Sequence, residues 1–255
     1  KIPQELVTVF AYLKKAAAET NNKLGNLDDV RTRAIEAACD EILAGHLDGN
    51  FPLAVWMTGS GTQFNMNMNE VIARKAVQIA AAAGESITVH PNDHVNRSQS
   101  SNDVFPTAMH AATLCLIEDR LFPAMDRLQS LLEKKAEEYK DIVKIGRTHL
   151  QDATPLTLGQ EISGWARMIE RNREMLVQGC EFLRDLAAGG TAVGTGINCP
   201  NEFGPLFAEE LSRLTGKVFR TAKNKFHSLT SKDELVVAHG MLKALACDLM
   251  KIAND

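Results

Sequence analysis

The stretch DVFPTAMHAATLCLIEDRLFPAMDRLQSLLEKKAEEYK, residues 103–140, carries a very long helical pattern. Its apolar residues recur at alternating spacings of three and four, the repeat of a helix that packs in a bundle. They are Leu114, Ile117, Leu121, Ala124, Leu128 and Leu131. Pro123 lies inside this pattern and predicts a kink rather than the end of the helix. The stretch therefore favours a fold built from long helices.

Two further apolar seams of the same kind follow in the sequence, one from Leu158 to Leu183 and one from Leu235 to Ile252. Strand signals are few, so the chain is expected to be an all-α long-helix bundle. The seams are long for one monomer, which predicts that helices of other subunits complete the core. We expect a smaller N-terminal helical domain over residues 1–100 and part of a central helix-bundle domain over residues 101–255.

Composition narrows the classes of function. The formal net charge is -4 and no basic run is present, so neither nucleic acid nor an anionic membrane is a favoured partner. Five scattered cysteines, an odd number without metal-ligand spacing, favour a reducing compartment. No apolar run has the length of a membrane span, and no secretory signal is visible. Both ends lie in helical patterns, which predicts a chain cut at both termini.

A first polar cluster precedes a helix that we expect over residues 70–83. Ser60 and Thr62 supply hydroxyls near a helix N-terminus, where anions bind well, and Gly61 between them allows close backbone approach. The alternative is an Asn-rich capping loop, which is common. Met66 and Met68 are more typical of core packing than of a cofactor contact.

A second cluster occupies residues 90–103. His90 and His94 with nearby acids suggest a metal site, but Pro91 and Asn92 are expected to break the helix that would align the two histidines. We favour an anion cradle instead, formed by residues that stand at the N-terminus of the long helix. Its members are Ser100, Ser101 and Asn102. An ordinary N-cap is the alternative, although one such residue would suffice for it.

The third cluster, residues 146–155, offers a guanidinium, a hydroxyl, an imidazole and a carboxylate in what we expect to be an irregular segment between helices. It is either a site or a buried joint in which an Asp and a Thr cap the next helix and His149 is a linker residue. Residues 189–198 form a glycine-rich loop without the features of a P-loop or a dinucleotide fingerprint. We expect this loop to let the backbone pass close to a neighbour or ligand.

Long motifs in these clusters resemble the aspartase/fumarase superfamily. They are SGTQFNMNMNE at residues 60–70, HPNDHVNRSQSSNDVFPT at 90–107, GRTHLQDATPLTLGQE at 146–161 and GGTAVGTG at 189–196. The match is closest to the class II fumarate hydratases. Three motifs distinguish the chain from the aspartate ammonia-lyases. Those enzymes have GTS where this chain has Gly61-Thr62-Gln63, and STND where it has Ser100-Ser101-Asn102-Asp103. They have RTQLQD where this chain has Arg147-Thr148-His149 and the three residues that follow.

The resemblance implies reversible hydration of fumarate to L-malate. It implies that His149 acts in proton transfer and that further residues bind the substrate carboxylates. Those substrate-binding residues are Ser60, Gly61, Thr62, Ser100, Ser101, Asn102 and Thr148. A second dicarboxylate site of the family maps to His90, Pro91, Asn92 and Asp93. The chemistry suits these residue types, because neutral donors stabilise the charge that develops on a carboxylate when the adjacent proton leaves.

The resemblance also implies a homotetramer, no cofactor, no metal, and fumarate and L-malate as partners, without nucleic acid or membrane. The expected location is the cytoplasm, or the mitochondrial matrix in a eukaryote. Aspartate ammonia-lyase or another fumarate-releasing lyase is the alternative activity. A non-catalytic helical assembly protein or fragment is the alternative from another class, since related proteins serve as lens structural proteins.

The chain departs from the resembled family at several positions, Phe64, His94 and Cys199-Pro200 among them. Phe64 stands where a small hydroxyl residue usually follows SGTQ, which predicts a tighter or reshaped loop. The family's flexible loop, which carries the catalytic Ser and a substrate-binding Lys and Asn, would lie beyond Asp255. The 255 residues alone are therefore expected to be catalytically incomplete.

Overall fold

Helices carry most of the chain in the computed structural model, which describes residues 1–255. In chain order the elements are α1 (Gln4–Lys23), α2 (Asp29–Leu43), α3 (Thr62–Ala82), α4 (Ser101–Leu116), α5 (Phe122–Glu138), β1 (Val143–Thr148), β2 (Gln151–Thr157), α6 (Leu158–Phe182), β3 (Asp185–Leu186), α7 (Phe203–Thr215), β4 (Arg220–Thr221), α8 (Lys225–Thr230) and α9 (Asp233–Asn254). Single turns of 3-10 and π geometry connect some of them. The predicted all-α class is confirmed, with only short strands added.

The chain divides into two compact units, and the first is discontinuous in sequence. It combines Lys1–Leu114 with Leu183–Lys232, and the second unit combines Cys115–Phe182 with Asp233–Asp255. The predicted division at residues 100 and 101 falls inside the first unit. As a division into the domains of the resembled family, it stays a prediction.

Helix α1 is the packing centre of the first unit, where it lies against α2, α3 and α7. Phe10 of α1 meets Phe64 of α3 edge to face, with ring centroids 4.9 Å apart, a favoured aromatic geometry. Its ring also lies 5.9 Å from that of Phe105 in α4. Phe64 is fully buried, so the aromatic side chain at this unusual position packs the core.

Helices α5 and α6 pack together in the second unit, and α6 also packs on α9. Asn172 of α6 is buried and donates to Asp248 of α9 at 2.6 Å. Arg173 of α6 lies over the ring of Phe122 at 4.7 Å and donates to Asp126 at 2.5 Å. Charged and aromatic side chains therefore join α6 to its neighbours alongside the apolar seam.

The predicted irregularity at Pro123 takes the form of a π-helical turn over Ile117–Leu121, directly before α5. Proline lies in the first turn of α5, where its missing N–H leaves no intrahelical bond unmade. The π-helical turn accommodates the proline without ending the helix, because both Leu121 and Phe122 keep right-handed helical backbone angles. The helical path therefore continues through Pro123, as the sequence predicts.

Two local predictions are wrong. Helix α3 begins at Thr62 rather than at residue 70, because Phe64, Met68 and Ile72 recur at helical spacing and bury one face of the helix in the core. Residues 146–155 are not irregular, since they lie in the antiparallel hairpin of β1 and β2.

None of the helices has the length and apolar character needed to cross a bilayer. No disulfide bond links the five cysteines.

Candidate active site

A cavity of about 450 Å³ opens in the first unit between three segments of chain. One wall comes from the start of α3, a second from the loop before α4, and the third from the glycine-rich loop. The lining residues are Asn65, Met66, Asn92, Asp93, Asn96, Arg97, Ser98, Gln99, Ser100, Ser101, Thr191, Ala192, Ile197 and Asn198. Two predicted substrate-binding residues, Ser100 and Ser101, thus share this cavity with part of the predicted second site.

Asp103 fastens two walls of the cavity together. Its carboxylate accepts hydrogen bonds from the backbone N–H of Ser100 at 2.9 Å, Gly189 at 3.0 Å and Thr191 at 2.8 Å. Burial raises its pKa to about 6, while these N–H donors and the Lys14 ammonium oppose the rise. Its side chain is fully buried. Asp103 therefore acts as a structural clamp and not as a surface acid.

Lys14 lies beneath the same wall, fully buried on α1. Its amine donates to Asn96 Oδ1 at 2.9 Å and to Gln99 Oε1 at 3.0 Å. Burial lowers its pKa to about 7, with the Asp103 carboxylate opposing part of the shift. The sequence prediction missed this residue. A signal existed, because Lys14 shares one helical face with the apolar Phe10 and Ala17, where an apolar residue would be expected.

The predicted cradle stands at the N-terminus of α4, as expected. Ser100 Oγ accepts a hydrogen bond from the backbone N–H of Asn102 at 3.2 Å. Asn102 donates its side-chain amide to the carbonyl of Ala192 at 2.8 Å and does not line the cavity. The amide of Asn102 is therefore a tie to the glycine-rich loop in this structure.

Ser60 and Thr62 form a separate hydroxyl group at the N-terminus of α3. Ser60 Oγ lies 3.2 Å from Thr58 Oγ1 and 3.2 Å from Thr62 Oγ1. Gly61 between them has φ +71° and precedes the helix, and a Cβ there would lie 2.2 Å from the ring of Phe105. Only glycine satisfies both the backbone angle and the contact. Neither hydroxyl lines the cavity.

The glycine-rich loop approaches neighbouring backbone closely, as predicted. A Cβ on Gly189 would lie 3.2 Å from Gly204 Cα, and Gly189, Gly194 and Gly196 all have positive φ. Thr191 has φ 54°, a strained value for a β-branched residue. Its buried hydroxyl has no hydrogen-bond partner.

The residues of the predicted second site form one π-helical turn over Pro91–Val95, with His90 before it. Proline occupies the first position of this turn, and His90 before it has extended backbone angles, so no helix carries both His90 and His94, as expected. His94 Nδ1 accepts from the His90 N–H at 2.8 Å, and His90 Nδ1 accepts from the Asp93 N–H at 3.2 Å. Burial, followed by the charge of Arg31, lowers the pKa of His94.

In the second unit, Thr148 ends β1 and His149 with Leu150 forms the two-residue turn of the hairpin. Both turn residues have positive φ, 51° and 60°, as a type I′ turn requires. The turn residues are exposed, so His149 is not a buried linker. Helix α6 is capped instead by Thr157 and Gln160, each of which accepts a hydrogen bond from the other's backbone N–H.

The profile of a family described as Lyase matches residues 1–255. The chain belongs to this lyase family. Among the relatives of this lyase, a Bacillus subtilis protein named fumarate hydratase class II is 59% identical over the whole chain and a Halalkalibacterium halodurans protein of the same name is 57% identical. The chain spans 55% of each relative, about half their length. The resemblance seen in the motifs is confirmed.

Solved structures agree with the lyase assignment. A class II fumarase from Schistosoma mansoni superposes with a TM-score of 0.96 at 38% identity, over 100% of this chain and 57% of that one. A fumarate lyase:delta crystallin from Brucella melitensis, bound to cobalt, gives 0.93 at 40% identity, over 99% of this chain and 55% of that one. The fold of the described residues is therefore that of known fumarate lyases.

Proposed function

We propose that the protein containing this lyase chain interconverts fumarate and L-malate by reversible addition of water. The observation that carries the proposal is the cavity wall at the N-terminus of α4, where Ser100 and Ser101 present hydroxyls beside helix N–H groups. Such a wall suits a carboxylate. Relatives that match the whole chain are named class II fumarate hydratases, which supports the same substrate.

The chemistry requires charge stabilisation more than a cofactor. Removing the proton beside a carboxylate of malate places a second negative charge on that carboxylate in the transition state. Donors already aimed at the carboxylate stabilise this state more than the ground state. In the proposal the substrate carboxylates bind to Ser60, Gly61, Thr62, Ser100, Ser101, Asn102 and Thr148.

His149 is the proposed proton-transfer residue, because imidazole both donates and accepts protons near neutral pH. The type I′ turn holds it exposed at the tip of the hairpin of β1 and β2. His90, Pro91, Asn92 and Asp93 remain a proposed second dicarboxylate site. Cofactors and metals take no part in the proposed reaction.

We further propose a homotetramer located in the cytoplasm, or in the mitochondrial matrix of a eukaryote. Apolar side chains on the second unit support self-association, because Val236 and Met250 of α9 are more than half exposed. The 255 residues span 55% of the relatives, and we expect this segment alone to lack turnover.

The test measures the ultraviolet absorbance of fumarate with the protein expressed from its complete gene. L-malate should yield fumarate, and His149→Asn should lower kcat by about 100-fold or more if the imidazole transfers the proton. The same substitution at exposed His46 is the control and should leave kcat unchanged. Fumarate from L-aspartate but not from L-malate would instead assign an ammonia-lyase, and absence of both activities would favour a non-catalytic assembly protein.

A further inference from the structure

A continuous chain of hydrogen bonds runs from the buried Lys14 to the cavity. Lys14 donates to Asn96 Oδ1 at 2.9 Å, and the same oxygen accepts from Asn65 Nδ2 at 3.2 Å. Asn65 Nδ2 also donates to Ser101 Oγ at 3.1 Å. Lys14 and Asn65 are fully buried, and Asn65, Asn96 and Ser101 line the cavity. The four side chains thus connect α1 to the cavity surface through α3.

The direction of every bond in this chain is determined by its surroundings. Asn96 donates its Nδ2 to the carbonyl of Gln99 at 3.2 Å, so its oxygen must face Lys14. Gln99 donates its Nε2 to the carbonyls of Val95 at 3.2 Å and Arg97 at 2.9 Å, which likewise turns its oxygen toward Lys14. An amine supplies N–H donors to both oxygens. A flip of either amide would therefore lose hydrogen bonds at both ends.

Asn65 has no choice of orientation as a result. The atom it meets on Asn96 is an acceptor, so Asn65 must present its NH₂ group to Asn96 and to Ser101. Its own oxygen is left buried without a partner, which costs free energy and shows that the neighbours impose this orientation. Ser101 Oγ then serves as an acceptor, and its hydroxyl hydrogen is not used within the protein.

We propose that Lys14, Asn96 and Asn65 are positioning residues that direct the hydroxyl hydrogen of Ser101 into the cavity, where it binds a carboxylate of the ligand. The inference rests on the proposed function and adds the reason why this wall selects an anion. A hydroxyl is by itself both donor and acceptor, and would accept from a cationic or hydroxylated ligand equally well. The hydrogen bonds from Lys14 through Asn96 and Asn65 to Ser101 remove that ambiguity.

The decisive variant is Asn65→Asp, which is nearly isosteric but only accepts hydrogen bonds when ionised. Ser101 would then donate to the introduced carboxylate, and the cavity would lose its donor. Hydrogen bonds to charged groups are strong, so we expect KM for fumarate and for L-malate to rise about tenfold or more. Ser101 would hold the carboxylate that gains no charge in the transition state and is bound equally in both states, so kcat should change much less.

Asn67→Asp is the matched control. Asn67 lies on the same helix, its oxygen is also buried without a partner, and its amide donates to the carbonyl of Asn50 at 3.1 Å. The substitution adds the same charge two residues away without reaching Ser101. We expect wild-type KM for Asn67→Asp, and equal KM values for the two variants would overturn the proposal.

Ser101→Ala separates this role from general damage to the fold. If Asn65 acts through the Ser101 hydroxyl, Asn65→Asp should add little to the KM of Ser101→Ala, whereas independent effects would multiply. Multiplying effects would contradict the proposal. If Asn65→Asp does not fold, Asn65→Ser is the second variant, since serine is too short to reach Ser101. Wild-type KM in Asn65→Ser would equally refute the inference.

Calorimetric binding of succinate, an unreactive dicarboxylate, distinguishes failure of this inference from failure of the proposed function. Weaker succinate binding in Asn65→Asp than in Asn67→Asp, in a protein that does not convert L-malate, would refute the hydratase and support the positioning role. Turnover of L-malate with unchanged KM and unchanged succinate binding in Asn65→Asp would refute the positioning role alone. A protein that neither turns over L-malate nor binds succinate would refute both.

Discussion

Lys14 places an amine in the interior of the first unit, where burial lowers its pKa from 10.5 to about 7. Between these pH values the unfolded chain binds the proton and the folded chain does not. The free energy of unfolding should therefore rise with pH between about 7 and 10.5, by at most about 1.4 kcal/mol per pH unit from this group. The stability gained in this way is lost again as the pH falls through about 7, where the folded protein takes up the proton. Lys14→Met should flatten that rise in urea unfolding of the ligand-free protein.

The control for this prediction is Lys243→Met, which changes an exposed lysine. Unfolding curves of Lys14→Met and wild type that stay parallel across this pH range would show that Lys14 keeps an ordinary proton affinity despite its burial.

Gly61 is a second residue whose identity is dictated by its surroundings. Alanine there would have to adopt φ +71° and would push its Cβ into the Phe105 ring, which lies 2.2 Å from the ideal Cβ position. We expect Gly61→Ala to lower the free energy of unfolding by more than about 2 kcal/mol and to raise KM, because Ser60 and Thr62 would move. Gly59→Ala meets nothing within 4 Å and should change neither quantity. Equal urea midpoints for the two variants would contradict this account.

Short polar motifs were readable from the sequence because each residue type carries its own chemistry. Ser100 and Ser101 were placed correctly at a helix N-terminus, since a helix start is encoded within a few residues. Lys14 and Asn65 were missed as site components because their partners lie far away in sequence, up to 85 residues for Lys14. Burial of a polar group is decided by packing, which no local pattern reports.

At the scale of elements, the hairpin of β1 and β2 excludes the alternative in which an Asp and a Thr of residues 146–155 cap the next helix. The sequence offered several hydroxyls before α6, and the structure selects Thr157, whose Oγ1 accepts from the Gln160 N–H at 3.1 Å. Thr157→Ala should lower the free energy of unfolding by about 1 kcal/mol through loss of this cap. Thr154→Ala, three residues earlier on exposed strand, should have little effect in the same thermal denaturation experiment. A larger loss of stability in Thr154→Ala than in Thr157→Ala would contradict the assignment of Thr157 as the cap.

Long helices were predictable as elements, whereas the hairpin was not. The seam in α5 and α6 repeats over many turns and defines the helix period. The strands are short, β2 carries Pro155, and both are largely exposed, so no buried apolar face marked them. The boundary of α3 was misplaced because asparagine is a weak helix former whose position in the core decides its conformation.

For the whole molecule, the second unit leaves large apolar side chains in contact with solvent, which agrees with seams too long for one monomer. In α9 only Ala238 and Leu245 are fully buried, while Val236 is 68% exposed. We expect sedimentation to give four times the mass of one chain and Val236→Glu to reduce it, because a buried charge would oppose association. Val218→Glu, at a valine 60% exposed in the first unit, is the control. A monomer in wild type would refute the proposed tetramer.

The division into units was not predictable from composition, because no linker of Pro, Gly or Ser marks it. The first segment of the first unit ends within α4 and its second segment begins after α6, so residues 115–182 separate the two. Sequence patterns report local order, and a discontinuous unit is defined by contacts between distant segments.

Because the first unit is discontinuous, its two segments are synthesised at different times. Helix α7 covers α1, yet roughly 200 residues must be translated between them, which takes about 10–40 seconds at ordinary ribosomal rates. Until then the face of α1 that packs on α7 in the finished structure has no partner. The hydrogen bonds of Asp103 likewise cannot form until Gly189 and Thr191 have been synthesised. Ribosome-associated chaperones are therefore expected to hold the N-terminal helices during synthesis, and the cavity is completed only when the glycine-rich loop has left the exit tunnel.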